Sequence, residues 1–182
     1  MSAEVPPSSD ETLQVPSLPV VTGREATARF LDEARAAGRR VVFVNGCFDL
    51  LHPGHLSVFF AARARGDELV VALNSDASIR RLKGPHRPIL PEAVRLTMVA
   101  ALEPVSAAFA FDEDNAAEAI RFARPDIYAK GAEYRGRPYP ESEAVAEHGV
   151  EVVYLEHVDG FSTTRLIERI HRRVAAASER GQ

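Results

Sequence analysis

Short apolar runs alternate with helically spaced stretches along most of this chain, and that alternation constrains its fold more than any other feature. The runs are Val41-Val42-Phe43-Val44, Leu69-Val70-Val71-Ala72-Leu73, Ala107 to Phe111, Asp126 to Ala129 and Val150 to Leu155. A strand wetted on one face alternates apolar with polar residues, whereas a run that stays apolar must be covered on both sides. The intervening stretches, at about 54–65, 76–82, 91–102, 115–123, 140–148 and 163–177, supply the covering helices. The pattern predicts an α/β protein with a doubly wound, parallel, five-stranded sheet. In such sheets ligands bind outside the carboxyl ends of the strands, near the point where strand order reverses.

Local signals sharpen the boundaries. From Arg24 to Ala37 a helix is predicted, with Ala26, Phe30 and Ala34 on one face and Gly38 as its stop. Pro91 suits a first helical turn, and Asn115 with Glu118 resembles a capping pair. Leu166, Ile167, Ile170 and Val174 are expected to form the buried stripe of the last helix. Residues 1 to about 22 carry prolines and serines that break every periodic pattern, so they are expected to be a disordered tail before a single domain at 23–178.

Composition excludes several function classes. With 182 residues the chain is long enough for one domain with a real core. A net charge of −4 does not suit a nucleic-acid surface, so any anion site must be local. One cysteine, Cys47, rules out an internal disulfide and fits a reducing compartment. No apolar run approaches the roughly 20 residues that cross a bilayer. The expectation is a cytoplasmic protein that binds neither nucleic acid nor membrane.

The segment Asn45-Gly46-Cys47-Phe48-Asp49-Leu50-Leu51-His52-Pro53-Gly54-His55 leaves the first long strand and enters a helix. Pro53 suits the first helical position, and Gly54 removes a side chain where a phosphate could approach the backbone. His52 and His55 lie three apart, so both rings can face one ligand at a helix start. Each can donate an N–H to a phosphate oxygen. No third ligand accompanies them, which disfavours a metal site. At the other end of the chain Ser162, Thr163 and Thr164 are good N-cap residues whose hydroxyls and free N–H groups can also hold phosphates.

With its Phe48-to-His55 stretch and the later Gly160-Phe161-Ser162-Thr163-Thr164, the chain resembles the cytidylyltransferase-like nucleotidyltransferases over about residues 40 to 173. Within them it is most similar to the D-glycero-β-D-manno-heptose 1-phosphate adenylyltransferases, which form ADP-heptose. The matching pieces are Asn45 to Asp49, Leu73 to Ser78, Arg81-Leu82-Lys83-Gly84 followed by Arg87-Pro88, Lys130-Gly131, and Asp159-Gly160 before Ser162. Two positions depart. The glycerol-3-phosphate cytidylyltransferases carry an arginine where this chain has His157. Heptose enzymes have Gly-Asp-Tyr where this chain has Ala132-Glu133-Tyr134.

The resemblance implies a Rossmann-like fold and transfer of AMP from ATP to a sugar 1-phosphate, releasing pyrophosphate. It implies His52, His55 and Lys83 as catalytic groups, with His55 favoured at the transition state. It assigns the nucleotide to Asn45, Gly46, Cys47, Phe48, His52, Gly54, His55, Lys130, Gly131, Ser162, Thr163 and Thr164, and the sugar phosphate to Lys83 and Arg87. Mg²⁺ is expected on phosphate oxygens, with no protein metal cage, so Asp112, Glu113 and Asp114 read as a solvated turn. Arg95 is balanced between site and surface, and Arg165 is the one arginine of the last helix near a motif. A homodimer is an expectation by family analogy alone. The alternatives are a cytidylyltransferase for glycerol 3-phosphate or another alcohol phosphate, and a nucleotide-binding regulatory module without turnover.

Overall fold

The fold is described by a computed structural model for residues 21–156 and 160–180. Most of the expected tail and the position of His157 lie outside the described residues. The long strands follow the apolar runs: β2 (Val41–Gly46), β3 (Glu68–Asn74), β4 (Ala107–Phe111), β5 (Ile127–Gly131) and β6 (Glu151–Leu155). They pair in parallel throughout, with β2 central, β3 and β4 on one side and β5 and β6 on the other.

The sheet has six strands where the sequence predicts five. Val21–Thr22 form a short strand, β1, parallel to β4. Two residues carry no readable period, and this pair sits inside a stretch whose prolines suggest a tail.

Both faces are covered, as unbroken apolar strands require. On one face Phe43, Val70, Ala72, Phe109 and Tyr128 pack against α1 (Arg24–Ala36), α5 (Ala117–Ala123) and α6 (Ser142–Glu147). On the other, Val42, Val44, Val71, Leu73 and Ile127 meet α2 (Pro53–Arg63) and α4 (Glu92–Ala100). Successive strand residues alternate between the two clusters, which is the two-residue period of a strand with both sides apolar. A short helix, α3 (Asp76–Lys83), follows β3, with the Ser75 hydroxyl accepting from the Ser78 N–H as its cap.

The last helix, α7 (Thr163–Arg180), departs from expectation. Leu166 and Ile167 are half-buried, but Ile170 and Val174 are 47% and 61% exposed. The apolar stripe exists, and beyond its first turns it meets no partner among the described residues. No helix of those residues is long and apolar enough to cross a membrane.

Candidate active site

The crevice comes from a divergence between neighbouring strands. β2 and β5 pair only at Val42↔Ile127 and Phe43↔Tyr128, whereas β2 and β3 stay in register as far as Gly46↔Leu73. Past Phe43 the two strands part at the point where strand order reverses, the predicted place for a ligand. A cavity of about 620 Å³ opens there. Its wall includes the residues that the resemblance assigns to catalysis, nucleotide and sugar phosphate: Asn45, Gly46, Cys47, Phe48, His52, Gly54, His55, Lys83, Arg87, Lys130, Gly131, Ser162, Thr163 and Thr164.

The first wall is the start of α2. His52 takes the N-cap position in an extended conformation and Pro53 follows at the first helical position. His52 accepts no side-chain cap bond from the helix, and its ring lines the cavity. The rings of His52 and His55 stack with centroids 3.7 Å apart. Gly54 makes this possible, because a Cβ there would sit 3.0 Å from His52 Nδ1. Phe48, whose φ is +46°, turns its ring over Gly46 and meets the His55 ring in a T-shaped contact, centroids 5.2 Å apart. A bulky residue in the left-handed region is uncommon and costly, and here it props the histidine.

The second wall is the start of α7. Ser162 caps it, its Oγ accepting from the Arg165 N–H at 3.2 Å. Thr163 Oγ1 donates to the Leu50 carbonyl at 3.5 Å, and Phe161 lies 6.5 Å from His52, ring to ring. Two helix starts therefore open on one cavity, each with first-turn N–H groups and the positive end of its dipole.

The third wall is the segment after α3, and the sequence reading overlooked what secures it. Asp49, fully buried, accepts from Arg87 Nε at 2.6 Å and from the backbone N–H groups of Ile89 and Leu90. One carboxylate thus ties residues 84–90 to the edge of the crevice. Arg87 keeps its terminal nitrogens unbonded among the described residues, and Lys83 makes no ion pair there. Arg95 belongs to neither site nor surface. Completely buried, it donates to the carbonyls of Cys47, Asn74 and Leu90 and pairs with Asp76 at 2.7 Å, binding four segments behind the cavity.

The fourth wall is the end of β5, where Lys130 and Gly131 are expected to line a nucleotide pocket. Lys130 lines the cavity, but its ammonium pairs with Glu141 at 3.0 Å and lies 4.0 Å from the Tyr134 ring centroid. A Cβ at Gly131 would meet the Glu133 carboxylate, the far end of a flexible side chain. Tyr134, Leu155 and Phe161 add apolar surface to the cavity that the motifs alone did not indicate. Asp112 and Asp114, by contrast, pair with Arg81 away from it.

Burial pushes the Cys47 thiol up, and the cations of Lys83, Arg95 and Arg87 pull it partly back. The thiol is therefore protonated at neutral pH. The Cys47 thiol is thus not an activated nucleophile.

Residues 43–169 match the family model described as cytidylyltransferase-like. The chain belongs to the cytidylyltransferase-like family. Among similar curated proteins are the "Bifunctional protein HldE" of Gluconobacter oxydans, 45% identical over 87% of this chain, and that of Syntrophotalea carbinolica, 48% identical over 81%. The matched parts are 33% and 30% of those proteins, so this cytidylyltransferase-like chain spans about a third of their length. A solved lipopolysaccharide core biosynthesis protein from Thermoplasma volcanium is 29% identical with a TM-score of 0.57, covering 67% of this chain and 100% of its own. A pantoate-β-alanine ligase from Francisella tularensis shares the fold at 9% identity, TM-score 0.52, over 75% of this chain and 67% of its own.

Proposed function

We propose that this protein is a nucleotidyltransferase that moves AMP from ATP to a heptose 1-phosphate, giving ADP-heptose and pyrophosphate. The observation that carries this reading is one cavity joining the His52–His55 pair and the Ser162–Thr164 helix start to a cationic wall at Lys83 and Arg87. Such a cavity offers places for two anions that must meet. Likeness to the HldE proteins and to a lipopolysaccharide core biosynthesis protein supports a sugar phosphate destined for surface polysaccharide as the acceptor.

A sugar phosphate has a second pKa near 6, so its oxygen is already nucleophilic at neutral pH. That oxygen bonds to the α-phosphorus as the bond from the α-phosphorus to the bridging oxygen breaks, and pyrophosphate leaves with the electron pair. No side chain need accept a proton. The protein aligns the two anions and places donors where charge accumulates. On this reading His52 and His55 donate to the α- and β-phosphate oxygens. The α7 start holds the tail of the triphosphate, and Lys83 and Arg87 hold the acceptor.

Among the described residues no group of three or more His, Cys, Asp or Glu is gathered to hold a metal, and Asp49 is occupied by Arg87 and the backbone. This donor set fits Mg²⁺ that enters as part of the nucleotide substrate, bound through phosphate oxygens.

Pyrophosphate release from ATP, Mg²⁺ and heptose 1-phosphate, measured beside CTP with glycerol 3-phosphate, tests the reading. The expected product is ADP-heptose. His55→Ala should lower kcat by about 10²–10³ while ATP still binds. Turnover with CTP and glycerol 3-phosphate alone would overturn the proposal, as would ATP binding without any product.

A further inference from the structure

The conspicuous cation at the floor of the crevice, Lys130, is poorly placed to touch a phosphate. Its side chain is 9% exposed and that of its partner Glu141 only 5%. The rings of Tyr134, Tyr139 and Tyr128 surround the ammonium at 4.0, 4.8 and 5.3 Å. Drawing the ammonium away toward a ligand would leave a buried carboxylate unpaired, which is strongly unfavourable.

We propose that Lys130 is a positioning residue, acting through Tyr128 to hold the Asn45 amide with its Nδ2 hydrogens aimed into the cavity. The argument follows the direction of each hydrogen bond. An ammonium can only donate. Lys130 gives one hydrogen to Glu141 Oε2 at 3.0 Å and another to the Tyr128 hydroxyl oxygen at 3.2 Å. Glu141 is itself fixed, because its other oxygen accepts from the Ala116 N–H at 3.2 Å.

With Lys130 donating to its oxygen, the Tyr128 hydroxyl has its own hydrogen to place, and Asn45 Oδ1 accepts it at 2.8 Å. The opposite orientation of the amide would point a second donor at the phenol and strand the phenol's proton. Burial, and then the nearby Glu141 carboxylate, push the Tyr128 phenol well above its ordinary value, so that proton is retained at any working pH. The amide orientation is thus dictated from Glu141 outward. Nδ2 of Asn45 makes no hydrogen bond among the described residues, and Asn45 lines the cavity. It is a donor prepared for an acceptor atom of the nucleotide, a step that rests on the proposed nucleotidyl transfer from ATP.

Titration calorimetry with ATP and Mg²⁺ tests the relay on the whole chain. Tyr128→Phe keeps the ring that packs 5.9 Å from Phe43 and removes only the hydroxyl. That variant and Asn45→Ala are each expected to weaken ATP about three- to tenfold, the scale of one hydrogen bond. The double variant should bind no more weakly than Asn45→Ala, because both changes remove the same contact. Lys130→Met combined with Glu141→Gln should reproduce the loss of Tyr128→Phe. Wild-type affinity in Tyr128→Phe, or losses that multiply in the double variant, would overturn the relay. If the unaltered protein binds no ATP, the functional reading fails, and the ligand-free NMR signal of the Asn45 side-chain amide decides the relay alone. It should shift in both Tyr128→Phe and the Lys130/Glu141 pair, and an unchanged signal rejects the idea.

Discussion

Cys47 is subject to two opposed influences at the crevice, burial raising its thiol and three cations lowering it, with burial the larger. A raised thiol holds less thiolate at any pH below its titration. Alkylation by a neutral reagent at pH 8 should therefore be slower than for free cysteine, and the rate should climb further as pH rises past the ordinary thiol range. ATP should protect the thiol, since Cys47 lines the same cavity. Mass-resolved labelling from pH 7 to pH 10 measures this, and labelling as fast as free cysteine would contradict it. Residues whose task is local were legible in the sequence. His52, Gly54 and His55 act within one helical turn, so their spacing alone places them together. Asp49, Arg95 and Lys130 act through partners 38, 48 and 11 positions away, and no local pattern reveals such pairings. Arg95 in particular could not be assigned, because an arginine on an amphipathic helix carries the same local signal whether it is solvated or buried as a clasp.

At the scale of elements, periodicity reported the strands and helices well and their surroundings less well. In α1 the buried face is centred on Thr27, Leu31 and Ala34, one step round from the predicted Ala26, Phe30 and Ala34; an apolar pattern does not mark a buried threonine. The Asn115 side chain accepts from the Ala117 N–H at the start of α5, but the N-cap position falls on Ala116 and Glu118 turns to Arg121, so the expected capping pair does not form. The stripe of α7 has the same spacing as a buried one; a period shows which side is apolar and not what it meets. The contrast yields a stability prediction. Ile120→Ala in α5, where the side chain is fully buried, should cost about 2–5 kcal/mol. Ile170→Ala in α7, where the side chain is exposed, should change stability by less than about 0.5 kcal/mol. Urea denaturation of both variants checks the pair, and a large loss from Ile170→Ala at dilute concentration would show that the stripe is covered.

For the molecule as a whole, the crevice is where the sheet gives up its own hydrogen bonds. β2 and β5 cease to pair after Phe43 and Tyr128, and their exposed ends become the cavity floor. A ligand that spans both ends restores the lost connection, so nucleotide should stabilise the fold by mass action, about 2.7 kcal/mol at a hundredfold excess over Kd. Thermal unfolding with increasing ATP and Mg²⁺ should show Tm rising with concentration; a flat response up to millimolar ATP would contradict it. The anchoring of residues 84–90 has a further consequence. That segment hangs from the Asp49 carboxylate and from Arg95, which donates to the Leu90 carbonyl, while the helix starts and the Asn45–Tyr128–Lys130 chain are fastened elsewhere. The same segment brings Arg87 to the cavity, while His52, His55 and Ser162–Thr164 reach it from two other elements. On the proposed reading, donor choice and acceptor choice are then separate traits, free to diversify along independent lines of descent.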